Sequence, residues 1–178
     1  FALNSIKAQV STYTFSQTSG TYADLVGGTV LATATGATGA GSLDAEIYNV
    51  SSLPFSFMFD GVLYNQIYVS SNGFITFGST APLGTNNSPL SNTATYAGAV
   101  APWGGDLNGV FNLSGRTSSI SWGVEGTAPN RVFVVQWKDF RPTWSTSTTN
   151  AAVLDFQVRL FETTNIIQTM YGPSSQIV

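Results

Sequence analysis

The chain is written in short runs of alternating apolar and polar residues, punctuated by turn dipeptides, and this pattern confines it to an all-β fold. Residues 54–59 place Phe55, Phe57 and Phe59 on one side, Asp60-Gly61 follows as a hairpin turn, and residues 62–70 return from it. Asn72-Gly73 is a second such turn and leads into residues 74–78. Further strands are expected over residues 11–16, which alternate Tyr13 and Phe15 with polar neighbours, and over 118–124, with Ile120, Trp122 and Val124 on one face. Residues 131–137 are apolar on both faces and predict a central strand buried on both sides. Residues 153–162 bury Leu154, Phe156, Val158 and Leu160 and expose Asp155, Gln157 and Arg159. Residues 165–171 are expected as the last strand, paired with the one before it through Thr163-Thr164-Asn165. Apolar residues at helical spacing, free of Gly, Pro and β-branched runs, are absent. The prediction is a two-sheet antiparallel β-sandwich with jelly-roll-like topology. Residues 27–41 read as a strand followed by a flexible loop. Residues 79–96 form a polar connection of the length at which loops tend to carry function.

At 178 residues the chain is one domain's worth, large enough to bury a core without staples. It has no Cys, which excludes disulfides, zinc fingers, thiolate iron–sulfur sites and cysteine nucleophiles. It has no His, which excludes a Ser-His-Asp triad, an HExxH metalloprotease site and a histidine pH switch. Only 8% of residues are charged and the net charge is −3, so nucleic acid is not an expected partner. Of the six bases only Arg131, Lys138 and Arg141 cluster, with Asp139 among them, and these read as surface charges. Twelve Phe, seven Tyr and four Trp instead place the cohesion in aromatic packing, under a surface of neutral polar residues. No apolar run reaches the roughly 18 residues that span a bilayer, so no membrane insertion is expected.

Residues 1–9 (FALNSIKAQ) read as the tail of a secretory signal peptide cleaved near Gln9, against the alternative of an ordinary N-terminal strand or a tag remnant. Residues 10–178 then form a single sandwich domain. Secretion without Cys points to a bacterial extracellular protein, since small secreted animal domains lean on disulfides. The sequons at Asn49, Asn86 and Asn112 are in that setting chance matches.

The nine acids offer no E-x-D-x-x-E spacing that would set paired carboxylates on one strand face. Asp60 belongs to its turn, Asp155 to an exposed strand face and Glu162 to a strand end. Ser-Lys chemistry has only Lys7, which leaves with the signal peptide, and Lys138 at a strand end. No enzyme is expected. The stretch Ala101-Pro102-Trp103-Gly104-Gly105-Asp106-Leu107-Asn108 is the richest in possibilities. Trp103 has the face to stack on a sugar ring, and Asp106 and Asn108 have the D-x-N spacing that supplies oxygens to Ca²⁺. The plainer alternative has Asp106 satisfying its own turn and Trp103 capping the core. Trp144, after Arg141-Pro142-Thr143, is expected to be the most exposed tryptophan, and Trp122 and Trp137 to be core. The candidate ligand-binding residues are therefore Trp103, Asp106, Asn108 and Trp144. Ca²⁺ on Asp106 and Asn108 is the sole cofactor considered.

The order of motifs along the chain carries a resemblance. Val69-Ser70-Ser71-Asn72-Gly73-Phe74-Ile75-Thr76-Phe77-Gly78 is followed by Ala99-Val100-Ala101-Pro102-Trp103 with Asp106-Leu107. Then come Asn130-Arg131-Val132-Phe133-Val134-Val135-Gln136-Trp137, Phe156-Gln157-Val158-Arg159-Leu160 and Tyr171-Gly172. From Tyr13 to Gly172 this resembles β-sandwich ectodomains of secreted and surface proteins from Bacteroidota, often cargo of the type nine secretion system. It is also similar to the nidogen-like extracellular domain. The resemblance implies a secreted or cell-surface adhesion or recognition module that binds glycan or protein through its loops, with no catalytic set to carry over. It also implies a fragment of a longer chain. The competing readings are a glycan-active jelly-roll hydrolase with paired carboxylates and a structural spacer without a ligand. A cleft holding two carboxylates favours the first, and burial of all four tryptophans the second.

Overall fold

Asp60, Gly61 and Gly73 at positive φ turn the chain where the dipeptides predict, and the strands assemble into two main sheets and a two-stranded hairpin. The computed structural model describes residues 10, 13–90, 94–145 and 152–176. The strands are β1 (Thr29–Thr33), β2 (Ile47–Val50), β3 (Phe57–Phe59), β4 (Val62–Tyr64), β5 (Ile67–Ser70), β6 (Phe74–Phe77) and β7 (Gly98–Val100). They continue with β8 (Leu107–Gly109), β9 (Ser119–Glu125), β10 (Val132–Pro142), β11 (Ala152–Phe161), β12 (Ile167–Tyr171) and β13 (Ser175–Gln176). A 3₁₀ turn, Gly39–Ser42, follows β1. Residues 1–9, where the signal-peptide tail is expected, lie outside the described residues.

The larger sheet runs β1-β9-β10-β11-β12, with β8 beside the far end of β10 and β13 beside the near end of β11. The smaller sheet runs β2-β5-β6-β7, and β3-β4 form a separate hairpin. Every pairing is antiparallel. The connectivity refines the jelly-roll-like expectation. β5-β6-β7 and β9-β10-β11-β12 are meanders of consecutive strands, and the chain changes sheet between β1 and β2 and again between β7 and β8.

The core lies between the sheets. β10 sends Phe133, Val135 and Trp137 into it, and Val134 and Gln136 to the other face; all five are buried, as the apolar run predicts. Trp137 stacks on Phe156 at 5.1 Å and Trp122 on Phe133 at 5.4 Å. Phe59 stacks on Phe77 at 4.5 Å, joining the small hairpin to the smaller sheet. Each such ring withdrawn from water contributes roughly 1.5–3 kcal/mol, which a chain without disulfides needs. The Trp137 indole N–H donates to the Ser70 carbonyl at 2.8 Å, a hydrogen bond from one sheet to the other.

Asp60 and Gly61 have φ of 49° and 76°, the two positive values that a tight two-residue hairpin requires. Four expectations need correction. Residues 13–16 join no strand: Tyr13 packs edge-on against Phe59 and its hydroxyl accepts the Asp60 N–H at 2.8 Å, while Phe15 is 90% exposed. Alternation alone did not supply a partner edge. Residues 62–70 are two strands, not one. The Asn65 carbonyl accepts the Leu53 N–H, its side chain accepts the Ser56 hydroxyl, and the chain there leaves the hairpin for the smaller sheet. β12 is followed by a further short strand, β13.

The fourth correction concerns Gln157, which is 1% exposed instead of solvated. The segment 22–28 crosses the outer face of β9, β10 and β11 and covers it. Gln157 Nε2 donates to the Ala23 carbonyl and to Gln136 Oε1, both at 2.8 Å, and Gln136 Oε1 accepts the Leu25 N–H at 2.7 Å. Leu25 lies over Gly123, where a Cβ would approach it to 3.0 Å. Lys138 pairs with Asp24 at the margin of this strap. Three further bases are engaged as well: Arg131 with Glu162 and Arg116 with Asp139, each at 2.5 Å, and Arg159 with Glu125.

Candidate functional site

The loop that holds Trp103 is built on the Asn72-Gly73 turn. Asn72 is buried, and its side chain is fully used. Nδ2 donates to the carbonyls of Gly84 (3.2 Å) and Asn86 (3.1 Å), and Oδ1 accepts the Leu107 N–H (3.1 Å). One residue therefore clasps the 79–97 connection on one side and the start of β8 on the other. Gly73, at φ 77°, turns its carbonyl toward the N–H groups of Trp103 (3.3 Å) and Gly104 (3.4 Å). The Trp103 Cβ sits against the Gly73 backbone, while the residue as a whole is 39% exposed.

β8 then pairs with the end of β10, Asn108 facing Arg141 and Leu107 facing Pro142, and the Thr143 N–H continues the ladder to the Asp106 carbonyl at 3.0 Å. Strand alternation puts Leu107, Gly109, Phe140 and Pro142 on one face and Asp106, Asn108, Arg141 and Thr143 on the other. A tight turn follows, closed by the Ser145 N–H to the Pro142 carbonyl at 2.8 Å, and it presents Trp144 at 80% exposure. Trp103, Asp106 and Asn108 are thus on one short segment, and Trp144 is brought beside it by the Thr143–Asp106 bond. Trp122 is partly buried and Trp137 fully, as expected of core residues.

Tyr171 is the residue that sequence reasoning missed. It ends β12 at 57% exposure, and its hydroxyl donates to the Pro102 carbonyl at 2.6 Å, tying the last long strand to the Trp103 loop. Its sequence signals are its place at a strand end before Gly172-Pro173 and its part in the Tyr171-Gly172 motif, and neither marks a functional role.

The electrostatics of this end are mixed. Asp106 is exposed. Partial burial and then the Asp106 charge push the neighbouring Asp44 carboxyl above its usual value. Asn108 Oδ1 and Thr143 Oγ1 are buried without a hydrogen-bond partner in the protein. These side-chain oxygens by themselves fall short of the six to eight oxygen ligands that Ca²⁺ takes. No group of three acidic or other metal-ligating side chains gathers among the described residues, and the Arg141 guanidinium shares the face with Asn108. EDTA is expected to leave the melting temperature unchanged within about 1 °C; a drop of several degrees would restore the metal reading.

Two shallow concavities lie elsewhere, in the connection that Asn72 clasps. One, of about 370 Å³, is lined by Leu83, Asn86, Ser88 and Tyr96 among others, and one of about 290 Å³ by Phe59, Asp60, Leu90 and Tyr96 among others. The first has no carboxylate in its lining and the second has Asp60 alone. Among the described residues no helix is long and apolar enough to cross a membrane. A family model described as NIDO related matches residues 12–178. No curated protein and no solved structure matches the chain.

Proposed function

The chain belongs to the NIDO related family, and from that premise we propose that it is a non-catalytic extracellular recognition module that engages a glycan or protein through its loops. The observation that carries this reading is the loop end of the larger sheet. Trp144, Tyr171 and Trp103 are exposed there on backbone that is cross-bonded through Thr143–Asp106 and Tyr171–Pro102. Large aromatic side chains left in water contribute nothing to the core, and on a rigid frame they are the anchors that recognition surfaces use. Trp144 offers a ring face for a sugar or an apolar side chain, and Asp106 beside it offers acceptors for hydroxyl or amide N–H groups. The finer setting we propose is a secreted or cell-surface bacterial protein, of the kind carried by the type nine secretion system in Bacteroidota.

The test is a screen of the intact domain on glycan and extracellular-protein arrays, repeated with Trp144→Ala. Because Trp144 is exposed, the substitution is expected to leave the melting temperature within about 1 °C while weakening any genuine hit by tenfold or more, the scale of a lost aromatic anchor. A hit that Trp144→Ala retains in full would overturn the loop assignment. Silence on both arrays would favour the spacer reading, and turnover of a bound glycan would make the module an enzyme.

A further inference from the structure

Among the described residues β12 is an open edge, and its geometry selects an occupant. The Phe161 N–H donates to the Ile166 carbonyl and the Gly172 N–H to the Asp155 carbonyl. Those two bonds fix the parity of the ladder: Gln168 and Met170 point their backbone groups at β11, and Ile167, Thr169 and Tyr171 point theirs away from it. Among the described residues nothing pairs with that outer side.

Natural edges are blunted by bulges, charges, prolines or shortness. β1, the opposite edge of the same sheet, carries a register shift between Val30 and Ala32. β7, at one edge of the smaller sheet, has three residues. β2, at the other edge, bonds β5 through alternate residues, as the Ser71 N–H to Glu46 carbonyl contact shows, and presents only Ile47 and Asn49 outward. β12 is regular along five residues and has no charge, no Pro and no bulge (Ile167-Gln168-Thr169-Met170-Tyr171).

We propose that β12 pairs with β12 of a second copy of this chain, antiparallel about a two-fold axis at Thr169, joining two larger sheets into one. The strand is complementary to itself in that register. Thr169 exchanges both of its outward hydrogen bonds with its own counterpart, and Ile167 and Tyr171 exchange theirs with Tyr171 and Ile167 of the other copy. On the side facing the core, Ile167 meets Tyr171 and Thr169 meets Thr169; on the other side Gln168 meets Met170. These are β-branched–aromatic, hydroxyl and neutral pairs, and no like charges oppose one another across the axis. The contact also draws in Ile166 and Tyr171, which are exposed at the two ends of the strand. A different partner strand would have to supply this same pattern; a second copy already has it. One short strand pair buries less than about 1,200 Å², so the association is weak and concentration-dependent.

Sedimentation equilibrium from about 10 μM to about 1 mM, the range of a small interface, is expected to show the mass rising from monomer toward dimer. Amide exchange adds a signature specific to this strand. At low concentration the Thr169 amide exchanges fast while those of Gln168 and Met170 are already protected; at high concentration Thr169 becomes protected. Thr169→Pro removes an outward N–H without touching the β11 ladder, and Thr169→Lys sets two ammonium groups face to face at the axis. Each is expected to weaken association by at least about tenfold with the melting temperature preserved, and either one alone suffices if the other fails to fold. A wild-type chain that stays monomeric throughout overturns the proposal. So does a dimer that both variants keep, or one that leaves Thr169 exchange unchanged.

Discussion

Gly73→Ala is expected to be among the most damaging single substitutions in this chain. At φ 77° an alanine sits in the left-handed region, which costs roughly 1–2 kcal/mol. Its Cβ would also lie 2.8 Å from the Trp103 Cβ and 3.0 Å from Leu107 Cδ1 and from Phe156 Cζ. Those neighbours come from the Trp103 loop, β8 and β11, so relief at one contact presses on another, and such overpacking costs a further 1–3 kcal/mol, roughly. Against a total stability of about 5–15 kcal/mol, that shifts a denaturation midpoint far or abolishes folding. Gly115→Ala is the control. Its φ is 76°, but nothing lies within 4 Å of the added methyl, so only the same backbone cost of roughly 1–2 kcal/mol is expected. If urea unfolding finds the two variants equally stable, the close approach at Gly73 is not what requires a glycine.

Gln157→Ala is expected to release the strap. The amide donates to Ala23 and to Gln136, and its Oε1 accepts from Arg159 Nη1 at 3.1 Å. With it gone, the Ala23 carbonyl is stranded and Gln136 loses the partner that orients it toward the Leu25 N–H, at about 1–3 kcal/mol for each group left unsatisfied. Water entering under residues 22–25 limits the loss to that of undocking the segment, about 3 kcal/mol, or a melting temperature lower by about 6–12 °C at this chain length. The specific signature is faster exchange of the Leu25 amide and new proteolytic cuts within residues 13–28, with the β10–β11 amides still protected. Unchanged exchange at Leu25 would show that apolar contact over Gly123, not the glutamine pair, holds the strap.

The turns and the meander could be read from residues because their determinants are local. Asp60-Gly61 and Asn72-Gly73 are where positive φ is tolerated, and the alternation in β9, β10 and β11 matches the pleat. What escaped depends on distant chain. Alternation reports which residues share a face, not whether that face is wet, so Gln157 was expected in water and lies under a segment 134 residues away. Tyr13 and Phe15 alternate like a strand but meet no edge. At the candidate site the same division holds. Pro and Gly around Trp103, and Pro before Trp144, mark both as loop residues. The Thr143–Asp106 and Tyr171–Pro102 bonds that gather them are long-range, and the Tyr171-Gly172 motif does not say what the tyrosine hydroxyl reaches.

The hydrogen bond from Trp137 to Ser70 has an optical consequence. An indole sealed between the sheets and bonded to a carbonyl emits from a dry, fixed site, whereas Trp144 emits from water. The molecule therefore carries its own gauges: a quencher in solution silences Trp144 and then Trp103 first, and the emission that survives, from Trp137 and the partly buried Trp122, reports on the core between the sheets. Occupancy of the loop end and parting of the core become separable signals in one unlabelled sample.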